Sequence, residues 1–178
     1  MNYYEKTEKE NTIYTGRIIK VKELNVSLPN GKSTKREIVE HPGAVAILAV
    51  TSDKKIVLIK QFRKAVEEKL WEIPAGKLER GESPLACAQR ELKEETGYIS
   101  DCWQKLEEFY ASPGFSNEII HLFLAKNIYA AGSTNFDEDE YMEVYLLSME
   151  EIEKLLREGK IRDAKTLTAI LTEKTREE

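Results

Sequence analysis

Residues 43–50, GAVAILAV, constrain the fold more than any other stretch of this chain. A short apolar run without alternation fits a strand buried on both faces. Such a strand belongs inside a sheet covered above and below, and helices are the usual cover. Further strands are predicted over 54–63 (KKIVLIKQFR), 70–76 (LWEIPAG), 119–128 (IIHLFLAKNI) and 141–148 (YMEVYLLS). Helices are predicted over 84–96, after Ser148 and from Asp163. Ser148 with Glu151 forms a capping box, Ile152, Leu155 and Leu156 give that helix an apolar face, and Gly159 stops it. The last helix would bury Leu167, Ile170 and Leu171. The expected fold class is α/β, a sheet with helices on its faces, spanning residues 43–178.

Ahead of this domain, residues 12–41 are rich in β-branched residues and carry Asn30-Gly31, a hairpin turn signal. They predict a small antiparallel sheet in an N-terminal segment, 1–42. A sheet this thin cannot bury a core by itself, so it is expected to pack on the rest of the chain or on a second subunit. Residues 1–10 are polar and are expected to fray.

The chain has 178 residues with 41% hydrophobic and 33% charged content, enough for one domain with a small appendage. A net charge of −5 argues against a nucleic-acid or membrane-surface partner, which needs a basic face. No apolar run approaches the roughly 20 residues of a membrane span, and the polar start is not a secretory signal. Cys87 and Cys102 form no metal or redox motif and fit a reducing cytoplasm.

The chemistry concentrates in residues 76–98, GKLERGESPLACAQRELKEETGY. Ser83 and Pro84 start a helix as N-cap and N1, and Gly97 ends it. At about 100° per residue, Leu85, Ala88 and Leu92 form an apolar stripe. Glu91, Glu94 and Glu95, at i, i+3 and i+4, share a bordering face. Like charges there cost a few tenths of a kcal/mol each when exposed, and more when desolvated. Compensation is expected from outside the segment. A divalent cation reverses the sign, and hard oxygen donors suit Mg²⁺ or Mn²⁺.

The arrangement Gly76-x5-Glu82-x7-Arg90-Glu91-Leu92-x-Glu94-Glu95-x-Gly97 resembles the Nudix box at every fixed charged and glycine position, with Tyr98 where that family usually has an aliphatic residue. The resemblance runs over most of 43–178. It implies the Nudix α/β/α sandwich with a mixed sheet, plus a small N-terminal antiparallel β-sheet. It also implies metal-dependent hydrolysis of a nucleoside diphosphate joined to another group. It would put metal on Glu91, Glu95, the Ala75 carbonyl and, indirectly, Glu94. Arg90 would orient a carboxylate, and Glu82 would be either a ligand through water or a partner of Arg90. Gly76 would let the loop approach the helix.

Pro113 in SPGFSNE, with WEIPAGK and QFR, is similar to the ADP-ribose-hydrolysing branch, whose products would be AMP and ribose 5-phosphate; the alternatives are a Nudix hydrolase of another nucleotide sugar, dinucleotide or nucleoside triphosphate, and a catalytically inactive ADP-ribose-binding regulator. On that likeness Arg63 would bind phosphate, Glu118 would contact a ribose or order its loop, and Ser112 and Gly114 would offer hydroxyl and backbone contacts. Arg17 and Ile18 would reach adenine. The general base would be Glu140, Glu138 or a glutamate of the box. Trp71 reads as core or as a base-stacking residue, His121 as structural. Residues 12–41 resemble a sheet that is commonly exchanged between subunits, so a homodimer is expected.

Overall fold

The computed structural model describes residues 3–131 and 141–177. They form two compact units, one of residues 3–43 with 109–119 and one of 44–108 with 120–131 and 141–177.

The first unit is a three-stranded antiparallel sheet of β1 (Lys6–Thr15), β2 (Lys20–Ser27) and β3 (Ser33–Glu40). The β2–β3 turn closes at Asn30-Gly31, where Gly31 has φ 80° and its N–H donates to the Leu28 carbonyl. That left-handed backbone is what glycine supplies in a hairpin. Residues 6–10, expected to fray, instead pair with β2. The backbone ladder holds them, and polar cross-strand pairs such as Ser27 Oγ to Glu8 (2.9 Å) and Lys22 to Glu10 (2.7 Å) reinforce it. Loop 111–118 belongs to this unit. Val39 N–H donates to the Phe115 carbonyl and Asn117 N–H to the Val39 carbonyl.

The second unit is built on a seven-stranded mixed sheet of β4 (Ala44–Val50), β5 (Ile56–Arg63), β6 (Glu68–Glu72), β7 (Ala75–Lys77), β9 (Cys102–Tyr110), β10 (Ile119–Lys126) and β12 (Met142–Leu147). Its order is β12-β5-β4-β10-β9, with β6 on β5 and β7 on β4. A short pair, β8 (Tyr98–Ile99) and β11 (Tyr129–Ala130), stands apart. β4 and β10 run parallel, and β5 runs antiparallel to β4, β6 and β12. Three helices complete the unit: α1 (Pro84–Thr96), α2 (Met149–Arg157) and α3 (Ala164–Glu177).

The double burial of β4 is real. Val45, Ile47 and Ala49 share a core with Cys87, Ala88 and Leu92 of α1, while the alternate residues Ala46 and Leu48 are equally inaccessible and α3 also packs on this strand. Two expectations change. The stretch 70–76 is two strands, because Pro74 has no N–H for a ladder and the Ile73 N–H leaves the sheet for Thr166 Oγ1 (2.9 Å). The apolar side of α1 is Cys87, Ala88 and Leu92, whereas Leu85 is 40% exposed in the first turn. β9 carries no sequence signal of burial. It is an edge strand that fully buries Leu106 alone and carries Lys105, Glu107 and Glu108 on exposed positions.

Candidate active site

The start and end of α1 follow from local chemistry. Ser83 Oγ accepts from the Ala86 N–H, Pro84 opens the first turn, and Gly97 at φ 71° returns its N–H to the Lys93 carbonyl. The crowded carboxylates find a partner inside the segment, contrary to expectation. Arg90 places Nε and Nη2 on the two oxygens of Glu82, both at 3.0 Å, and Nη1 on Glu91 (2.8 Å) and Glu94 (3.0 Å). Charge-assisted, two-pronged bonds of this kind fix both partners. The hydrogen bonds from Arg90 hold the Glu82 carboxyl down to about 2, and the same bonds raise Arg90. Cys87, beside them, is pushed up to about 12 by burial, so its thiol stays protonated and inert.

Arg90 divides its charge among Glu82, Glu91 and Glu94, and Glu95 brings a fourth carboxylate to the helix. Glu95 is 4% exposed and accepts the Ala75 N–H at 3.0 Å. The neighbouring Gly76 lies so close to Glu91 that a Cβ there would overlap its carboxyl group. The absent methyl thus lets strand β7 and the acidic edge of α1 touch. Glu94, at 41% side-chain exposure, is the outer member.

Among the described residues no three acidic or thiol-bearing groups form a ready cage for an ion. Magnesium needs none, since it takes one or two carboxylates, keeps waters and completes its shell with substrate phosphate. Clustered carboxylates, hard oxygen donors and a glycine-cleared approach therefore fit a divalent cation.

A second arginine, Arg63, lies on β5 of the same unit. Arg63 grips Glu72 with Nε and Nη2, each at 2.7 Å, which raises its pKa. Glu72 is 1% exposed. Its Oε2 also accepts Lys165 Nζ (3.1 Å), and Lys165 bonds Asp163 (2.7 Å). Asp163 Oδ2 accepts from Thr166 N–H and Oγ1 at the start of α3. The segment 72–75 is thereby held residue by residue. Glu72 is bonded to Arg63 and Lys165, Ile73 N–H to Thr166, the Pro74 carbonyl to Ile47 N–H (2.8 Å), and Ala75 N–H to Glu95. Sequence reasoning missed Glu72, Lys165 and Thr166. The usable signal was a lone acid within the apolar stretch LWEIP.

The structure brings Ala75, Glu82, Arg90, Glu91, Glu94 and Glu95 together in the second unit, with Arg63 on β5. Ser112, Gly114, Glu118, Arg17 and Ile18 belong to the first unit. There Ser112 caps a turn through its carbonyl, and Glu118 lies 3.4 Å from His41 Nδ1. Arg17 and Ile18 occupy the β1–β2 turn, closed by Gly16 N–H to the Ile19 carbonyl, rather than a strand. Glu138 and Glu140 lie outside the described residues. Trp71 is half-buried, 4.7 Å from the Tyr145 ring with Lys60 Nζ 5.2 Å from its centroid, so it is not simple core. His121 pairs with Glu108 at 3.1 Å.

The NUDIX domain family matches residues 40–170, which include this glycine-cleared strand and arginine-bound glutamate edge, and the chain belongs to that family. It is a Nudix hydrolase. The ADP-ribose pyrophosphatase of Bacillus subtilis (strain 168) is 50% identical over 167 residues, covering 93% of this chain and 90% of the relative. The methanol dehydrogenase activator of Bacillus methanolicus is 46% identical over 169 residues, covering 94% and 91%. The crystal structure of an ADP compounds hydrolase superposes with a TM-score of 0.84, covering 96% of this chain and 92% of that one, at 21% identity, a likeness of fold. No helix among the described residues is long and apolar enough to cross a membrane.

Proposed function

We propose that the protein hydrolyses the pyrophosphate bond of ADP-ribose, adding water across P–O–P to give AMP and ribose 5-phosphate. The observation that carries this is the contact of strand β7, at Ala75 and Gly76, with Glu95 and with the Arg90-bound Glu91. The kinship with the Bacillus subtilis enzyme supports the substrate. Glu91, Glu95 and the Ala75 carbonyl would hold Mg²⁺, with Glu94 assisting and Mn²⁺ as a substitute. Bound there, a divalent cation offsets the charge of the diphosphate oxygens and makes water more acidic. Arg90 and Glu82 keep the glutamates in place. Arg63 offers a guanidinium to phosphate. Glu140, Glu138 or Glu94 takes the proton of the attacking water. Ser112, Gly114, Glu118, Arg17 and Ile18 contact the nucleoside and ribose. The sheet of residues 1–42 joins two copies in a homodimer, for which exposed Ile13, Tyr14 and Ile18 are suitable, and the enzyme works in the cytoplasm.

A panel of ADP-ribose, other nucleotide sugars, dinucleotides and nucleoside triphosphates with Mg²⁺, read by phosphorus NMR of the products, tests this. Highest kcat/KM on ADP-ribose is expected, and preference for a triphosphate refutes it. Sedimentation tests the dimer, and an active monomer refutes that part. The Bacillus methanolicus relative favours a second reading, activation of a dehydrogenase. It predicts stimulation of a methanol dehydrogenase by a chain whose ADP-ribose turnover does not exceed that of its Glu95→Gln variant.

A further inference from the structure

We infer that Lys165, at the start of α3, is a positioning residue for substrate phosphate, acting through Glu72 on Arg63. The inference rests on the reading of Arg63 as a phosphate contact. Glu72 is almost wholly inaccessible, so its charge needs compensation within the protein. It receives it from two sides, Arg63 through Nε and Nη2 and Lys165 through Nζ.

The two cations are not equivalent. The Arg63 side chain is 40% exposed, Lys165 17%. Lys165 is itself fixed by Asp163, which caps α3, so it is a rigid inner support while Arg63 faces outward. Without Lys165, Arg63 would face Glu72 and Asp163 as the one cation of this group, which would be net negative and attract a diphosphate poorly. With Lys165 present two cations balance two acids, while Glu72 fixes the plane of the guanidinium. The Nη1 nitrogen is not engaged by Glu72. The same helix start also ties Ile73 through Thr166, two residues before the Ala75 carbonyl. One end of α3 thus sets both the arginine and the loop.

The test uses the full chain. Without substrate, the Nε–Hε resonance of Arg63 in ¹⁵N-labelled protein, assigned by its loss in Arg63→Ala, is expected to shift or broaden in Lys165→Met and to return in Lys165→Arg. An unchanged resonance in Lys165→Met overturns the inference. With ADP-ribose and metal chelated, Lys165→Met is expected to weaken binding about tenfold, the scale of one charge-assisted contact. It should add nothing to Arg63→Ala. In turnover the loss should fall on KM more than on kcat. Unaltered affinity, or losses that add in the double variant, also overturns it. Should Lys165→Met fail to fold, Lys165→Gln, which keeps a donor for Glu72 without the charge, takes its place. A wild type that neither binds nor hydrolyses ADP-ribose refutes the substrate reading instead, while the Arg63 resonance still decides whether Lys165 braces that side chain.

Discussion

Arg90 and Arg63 each hold a carboxylate with Nε and Nη2, yet the two regions around them serve different ends. Arg90 is surrounded by acids of its own segment and uses three nitrogens on Glu82, Glu91 and Glu94. Its charge is divided among three carboxylates, with Glu95 a fourth on the same helix, an acidic edge that suits a cation. Arg63 meets one buried acid that is countered from behind by Lys165. Lys165 also answers Asp163, so two cations balance two acids there, and an anion meets no excess of carboxylate. The same side-chain motif gives opposite electrostatics because the number of carboxylates per cation differs. A pyrophosphatase needs both, a place for metal and a place for phosphate, within one site.

The comparison breaks most visibly at the acidic edge. Glu95→Gln keeps the shape but removes a charge, and kcat/KM for ADP-ribose with Mg²⁺ should fall about 10³-fold, the scale of losing one preorganised electrostatic group. A loss under tenfold would show that the edge is not the metal site. Gly76→Ala comes next. Its methyl would displace the end of the flexible Glu91 side chain rather than backbone. Activity should therefore drop about 10²-fold, the scale of a roughly 1 Å misplacement, with little change in Tm. A large loss of Tm with activity intact would assign Gly76 to folding instead.

The two regions also differ in how far the sequence discloses them. The Arg90 cluster was legible because its members are local. Helical spacing places 91, 94 and 95 side by side, and Glu82 lies one loop away. What spacing did not disclose is that Arg90 answers much of the repulsion. The Arg63 region was legible in half: QFR marked the arginine, but its partner Lys165 lies 93 residues beyond Glu72, and only the docking of α3 joins them. In the fold, β4 announced itself by composition, since burial on both faces leaves no room for polar residues. β9 did not, because its inward residues Trp103, Leu106 and Phe109 recur every three positions rather than every two. Strand β1 was hidden for another reason, its polar residues being held by the ladder to β2 rather than by burial.

A finer test of the arginine contrast is conservative. Arg63→Lys keeps the charge and loses the planar fork, so KM should rise about tenfold with kcat within about threefold. The same exchange at Arg90 should lower kcat more than it raises KM, because a lysine cannot reach Glu82, Glu91 and Glu94 together. Equal patterns at both positions would erase the distinction between the metal-side and the phosphate-side arginine.

The smallest expected effect concerns stability and acid. Glu82 is held down to about 2 in the folded chain, first by its bonds to Arg90, against about 4.3 when unfolded. A lowered folded value means that the unfolded state binds the proton more readily, so the contribution is present above about pH 4.3 and fades as pH falls toward about 2. Glu82→Gln should therefore be less stable than wild type by about 2 kcal/mol at pH 6 in chelator, the scale of a charged hydrogen-bonded pair that keeps some access to water. Urea unfolding across that window should show the gap closing as acid is added. A gap that stays constant down to pH 2.5 would mean that Glu82 stabilises by packing, and that Arg90 is held in place by Glu91 and Glu94 instead.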